Sequence, residues 1–159
     1  MQPRKAHAGS TKEEYTTVPA TPSEASAADA QEAIVEELGF FDDWSDRYRY
    51  LIDLGRKLPP FRDEWCTDAH RIDGCQSQVW MHYEMTGDVL DIRATSDAAI
   101  VSGLIALLIR VYSLRPPEEI LATHPEFVER TGLKGYLSPT RSNGLASMLS
   151  AVFAAAKAV

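Results

Sequence analysis

Apolar residues recur along this chain first at helical spacing, then alternately, then at helical spacing again. That succession of periods sets the expected order of elements. From near Asp29, Ile34, Val35 and Leu38 make a short helical stripe that Gly39 ends. Trp44, Tyr48, Leu51 and Ile52 then fall on one face of an amphipathic helix expected over residues 43–54. Gly55 stands where a left-handed C-cap is expected, and Pro59-Pro60 forbids continuation. Residues 78–85 and 89–95 are rich in β-branched and aromatic side chains with polar ones interleaved, and Thr86-Gly87-Asp88 joins them as an antiparallel hairpin. Residues 69–72 predict a shorter strand before the hairpin, with Asp73-Gly74-Cys75-Gln76-Ser77 as a loop between them.

The C-terminal half returns to the helical period. Ser96 or Asp97 is expected to cap a run over residues 98–114 that is apolar nearly all round and therefore buried, with Gly103 permitting close packing. Pro116-Pro117-Glu118-Glu119 opens a short helix with proline in its first turn and acids facing the dipole. Residues 132–141 read as irregular, and a last helix is expected over residues 142–157 on Leu145, Met148, Leu149, Val152 and Phe153. Strands gathered between helices predict an α+β class, a small antiparallel sheet packed on one face by helices. Residues 1–29, rich in Ala, Ser, Thr, Pro and Glu without apolar period, predict a disordered tail, leaving one domain over residues 30–159.

Composition narrows the function. A formal net charge of −7 with no basic cluster argues against a nucleic-acid partner. The apolar run ending at Arg110 is too short to span a bilayer, and the N-terminus lacks the apolar core of a secretory signal. Two cysteines only, Cys66 and Cys75, without CxxC spacing, predict reduced thiols in a cytoplasmic protein. No large apolar stripe is left unassigned, so a monomer is expected.

Cys75 is the sharpest candidate for chemistry. It follows a glycine among small and polar residues, as an accessible nucleophile would, whereas a packing cysteine belongs among apolar neighbours. His70 and Arg71 would favour its thiolate; Asp68 and Asp73 would oppose it. Cys66, beside Trp65, reads first as an incidental small hydrophobe and second as a resolving thiol or disulfide partner. A metal site using Cys66, His70, Cys75 and His82 or an Asp lacks any ligand clamp. Arg141, in the polar run Ser138-Pro139-Thr140-Arg141-Ser142-Asn143-Gly144-Leu145, lies in a capping segment but carries five rigid donors suited to an anion.

Three blocks carry a family resemblance. Arg71-Ile72-Asp73-Gly74-Cys75-Gln76-Ser77-Gln78-Val79-Trp80 resembles the signature of the SufE family of sulfur acceptors. Residues 96–108 resemble its central helix, and residues 132–145 its C-terminal motif. The resemblance covers roughly residues 35–158 and implies a fold similar to IscU-type scaffold proteins. It implies that Cys75 takes persulfide sulfur from a PLP-dependent, SufS-like cysteine desulfurase and stimulates it. The sulfur then passes to an iron–sulfur scaffold complex or another recipient. PLP would belong to the partner, no cofactor of its own is expected, and the chain would be an activator rather than an independent enzyme. Arg141 and Asp97 match the family's supporting arginine and aspartate; Cys66 and the tail lie outside all three blocks. The alternatives are a two-cysteine thiol redox protein and a metal or cluster scaffold using Cys66 and Cys75.

Overall fold

A computed structural model describes residues 24–159. The expected tail therefore lies outside the described residues as far as residue 23. Order begins earlier than Asp29. Helix α1 spans Ala27–Gly39, capped by Ser26, whose Oγ accepts from the Asp29 N–H at 3.0 Å, and Ala27 and Ala30 are fully buried. Helix α2 (Trp44–Arg56) follows with Asp43 as its N-cap. Two short 3₁₀ turns, Asp63–Trp65 and Asp68–His70, lead to strands β1 (Val79–Thr86) and β2 (Val89–Ser96). Helices α3 (Ala99–Tyr112), α4 (Pro117–Ala122), α5 (Phe127–Arg130), α6 (Leu133–Tyr136) and α7 (Pro139–Lys157) complete the chain.

The sheet is the expected hairpin, antiparallel in a register running from Val79 opposite Ser96 to Thr86 opposite Val89. Its turn holds two residues, and Gly87 supplies the φ of 62° it needs. The pleat turns Val79, Met81, Leu90, Ile92 and Ala94 into the core while Trp80, His82 and Arg93 stay half-buried. The structure is thus α+β, a two-stranded sheet among helices.

α3 is the axis of the core. Ten of its fourteen residues are buried, and only the stripe of Ala99, Ser102, Ala106 and Arg110 stays partly open to solvent. α2 crosses it where both helices carry glycine. A Cβ on Gly103 would lie 2.2 Å from the Leu51 carbonyl oxygen, and one on Gly55 would lie 2.6 Å from the Gly103 nitrogen. Gly55 is therefore not a C-cap, as its position in the sequence predicts; the helix continues through it to Arg56 because it is the contact point. After α3, Leu114 at φ 59° turns the chain back along β2, where Leu90 N–H donates to Arg115 O and Leu114 N–H to Leu90 O. Arg110 anchors the far end of α3 to α1. Its guanidinium meets Glu37 at 2.6 and 2.8 Å and Glu24 at 2.7 and 3.2 Å, which holds the Glu37 carboxyl below its usual range.

Three further expectations are corrected. Residues 69–72 form a 3₁₀ turn and a single bridge from Arg71 to Trp80, since the chain cannot stay extended through Asp68–His70. Residues 132–141 are not irregular: Gly132, at φ 81°, starts the one-turn α6, and α7 begins at Pro139 with Ser138 as its cap. Asp97 does not cap α3, whose N-cap is Ala98 without a side-chain bond. Among the described residues no helix is long and apolar enough to cross a membrane.

The glycine crossing yields a paired prediction. Gly103→Ala drives a methyl into the α2 backbone and is expected to cost about 3 kcal/mol, a fall in Tm of roughly 10 °C. Gly39→Ala meets nothing within 4 Å and is expected to be neutral or stabilising by about 0.5 kcal/mol. Thermal unfolding of the two variants checks both.

Candidate functional site

The loop that carries Cys75 is closed at its neck by backbone pairing. Ile72 N–H donates to Val79 O at 2.9 Å, just inside the Arg71–Trp80 bridge. At its exit, Gln78 and Asp97 clasp each other: Gln78 N–H donates to Asp97 Oδ1 at 3.0 Å and Asp97 N–H donates to Gln78 O at 3.3 Å. Asp97 thus ties the end of the loop to the start of α3. Within the loop, Gly74 adopts φ 88° and lies so close to α7 that a Cβ would fall 2.5 Å from Ser147 Oγ. Only glycine satisfies both conditions.

This approach seats Cys75 on α7. Its thiol donates to the Gly144 carbonyl at an S···O distance of 3.7 Å, and a Cβ on Gly144 would stand 3.6 Å from Sγ. Beneath the loop is a small cavity walled by Cys75, Val101 and Leu104 of α3, and Arg141, Leu145 and Met148 of α7. It leaves about 10 Å³ for the centre of a water-sized guest, room for a single heavy atom. Arg141 stands in the first turn of α7, and its Nη1 is buried without a hydrogen-bond partner. An orphaned buried guanidinium N–H is costly, and on a residue that shares a cavity wall with a thiol it marks a place where an anion would be welcome.

Cys75 at rest is not that anion. Burial, and then the Asp73 carboxylate, push its thiol above the ordinary value. The bond to Gly144 O also suits the protonated form, which alone can donate. The favourable effect expected of His70 and Arg71 is absent because His70 turns away, bonding Thr67 and His82. Arg71 is exposed.

Of the residues singled out in the sequence, Cys75 and Arg141 share one cavity, and Asp97 braces the loop from outside it. Cys66 is an exposed free thiol that forms no part of the cavity wall, and Cys75 is free as well. Among the described residues no group of three or more His, Cys, Asp or Glu is placed to hold a metal ion. Sequence reasoning did not single out Gly144, which receives the thiol, or Gln78, which completes the clasp. A glycine inside an otherwise helical run was the available signal for Gly144; Gln78 left none.

The sequence and the fold are similar to those of known proteins. Residues 32–156 match the family model SufE, the Fe-S metabolism associated domain. An uncharacterised SufE-like protein of Rhizobium etli is 41% identical over 129 residues, covering 78% of this chain and 87% of that protein. Another, of Rhizobium meliloti, is 38% identical over 121 residues, covering 73% of this chain and 86% of its own. A solution structure of a hypothetical protein from Thermus thermophilus superposes with a TM-score of 0.68 at 21% identity, over 81% of this chain and 94% of its own. That likeness speaks for the fold alone.

Half-burial and a raised proton affinity make Cys75 the slower thiol of the free protein. With iodoacetamide at pH 7.5, Cys66 is expected to alkylate at least about tenfold faster than Cys75, with the difference lost in denaturant. The rate at Cys75 should rise with pH to a midpoint above the ordinary thiol value of about 8.5. Peptide mapping of the labelled protein checks both statements.

Proposed function

The chain belongs to the SufE family, and from that premise we propose that it is a sulfur acceptor that works on Cys75. A PLP-dependent cysteine desulfurase presents a cysteine persulfide. The Cys75 thiolate attacks its terminal sulfur, a new bond forms from Cys75 Sγ to that sulfur, and the partner's S–S bond breaks. The bonding pair leaves with the partner's cysteine thiolate. No oxidant or reductant is consumed. PLP stays with the desulfurase, and this chain carries no cofactor beyond the covalently held sulfur. Its product, a Cys75 persulfide, is sulfur in transit to an iron–sulfur scaffold complex or another recipient.

One observation carries this reading: a thiol and an arginine whose buried Nη1 has no hydrogen-bond partner line the same atom-sized cavity. A persulfide on Cys75 adds one sulfur atom and a negative charge, which are what the cavity lacks. Arg141 has the role of holding the terminal sulfur, or the thiolate on the way to it, through Nη1. The raised proton affinity of the closed thiol means that attack follows release of the loop. The loop therefore alternates between the seated position seen here and a docked one in which Cys75 is freed from Gly144 and Asp73. Asp97 limits that excursion from the exit side.

Mixing the protein with a cysteine desulfurase, PLP and cysteine should add about 32 Da to the wild type and nothing to Cys75→Ser, read by intact mass. An equal gain on Cys75→Ser would transfer the role to Cys66. Arg141→Ala should slow loading by about ten- to a hundredfold, the loss of one charge-assisted hydrogen bond. It should leave Tm unchanged or slightly raised, since it removes a buried donor that has no partner. A destabilised Arg141→Ala with unchanged loading would assign Arg141 to the fold instead.

A further inference from the structure

A second cluster of titratable side chains lies on the outer face of the hairpin, at the other side of the loop's neck. Residues 59–70 cross β1 as a strap with few buried side chains. Trp65 stacks on His82 at 3.9 Å between centroids and 5° between planes, with Phe61 edge-on to Trp65 at 5.2 Å. Beyond the stack runs an unbroken chain of ring nitrogens. Thr67 Oγ1 is 3.0 Å from His70 Nδ1, His70 Nε2 is 3.0 Å from His82 Nδ1, and His82 Nε2 is 3.2 Å from Glu84 Oε1. His70 immediately precedes Arg71, whose bridge to Trp80 closes the neck. The bond between the two histidines is thus the next rung outward on the stem that carries Cys75.

Donor and acceptor roles along this chain are forced. With both rings neutral, His82 Nε2–H donates to Glu84, so His82 Nδ1 accepts from His70 Nε2–H, and His70 Nδ1 accepts from the Thr67 hydroxyl. One added proton is absorbed without loss. It sits on His82 Nδ1, His70 shifts its own proton to Nδ1 and donates to Thr67 Oγ1, and the central bond reverses. A second proton cannot be absorbed, because two N–H groups would then face each other across the 3.0 Å gap between the rings.

We propose that His70 and His82 are positioning residues for Cys75: their hydrogen bond fastens the stem of the loop while at least one of the facing nitrogens is unprotonated, and releases it in acid. The inference rests on the reading of Cys75 as the acceptor. The charged groups that face the pair are Glu84 on β1, Arg93 opposite His82 on β2 with Asp91 beside it, and Arg62 over Trp65; Asp68 and Arg71 flank His70. Release takes the second proton, which must join a pair that already carries one charge across the 3.0 Å gap, so the stem responds only in acid.

The test is amide hydrogen exchange of residues 71–79 in the free full-length protein at pH 7.5 and 4.5, corrected for intrinsic rates. Wild type should open about five- to tenfold more at pH 4.5, the equilibrium equivalent of one hydrogen bond, with no change in α3. His70→Gln keeps a donor at the Nε2 position without titrating and should stay protected at both values. His70→Ala should be open at both. A flat wild-type profile, the same pH response in His70→Gln, or an acid response shared by α3 would overturn the proposal. Since no desulfurase is present, the readout is independent of sulfur uptake. A flat profile with a normal gain of about 32 Da removes the latch alone, and a pH-gated loop without that gain removes the acceptor reading alone.

Discussion

A helix apolar on nearly every side is stable in water only when those sides are covered, and the rest of this structure follows from how α3 meets that demand. α2 covers one side at backbone contact, which two glycines make possible. The hairpin covers another through Leu90, Ile92 and Ala94, and α1 and α7 close most of the remainder. Cover is thinnest near the N-terminal end, where Val101 and Leu104 look into a space that the Cys75 loop and α7 do not quite fill. The site is therefore a remainder of core packing. Its walls are core side chains, its floor is a glycine of α7, and its lid is the loop that bears the thiol.

Much of this is legible in the sequence where the information is local. The stripe from Trp44 to Ile52, the alternation on either side of Gly87 and the long, mostly apolar run of α3 each belong to one element, and each forms as its pattern predicts with ends shifted by a residue or two. The errors share a cause. Gly55 resembles a C-cap because a glycine after a helical stripe usually is one; its actual partner, Gly103, lies on another element. Asp97 resembles an N-cap for the same reason, yet the hairpin register brings the Gln78 amide to it first. The brief strand at residues 69–72 fails because His70 is committed to Thr67 and His82, a pairing that only the folded hairpin creates.

The site divides along the same line. Cys75 is visible as a cysteine in a polar, glycine-led loop, and Arg141 as a fork of donors in a capping segment. Neither the protonated resting state of the thiol nor the missing partner of Arg141 can be read from the chain. Both are consequences of burial, and burial belongs to the tertiary structure. Neighbours in sequence even point the wrong way: His70 and Arg71 promise a thiolate, while Asp73 and the apolar wall decide the outcome.

These two buried features bear on each other. A thiol kept protonated is protected from stray oxidation, but it is a poor nucleophile where it sits. An arginine with an unpaired N–H is a standing cost in the unloaded protein. A sulfur atom added at Sγ extends the side chain by about 2 Å and, as an anion, supplies the acceptor that Nη1 lacks. On the proposed function, the closed conformation is then held more firmly loaded than empty. Each hydrogen bond of the closed loop contributes about 1 kcal/mol at most, so its contacts to Gly144 and at the neck bias the loop toward the closed form. A partner that binds only the open form must overcome that bias to load Cys75. Once loaded, the same bias, strengthened by Arg141, withdraws the sulfur from water. The cavity that α3 leaves uncovered would thereby turn a packing deficiency into a direction for transfer.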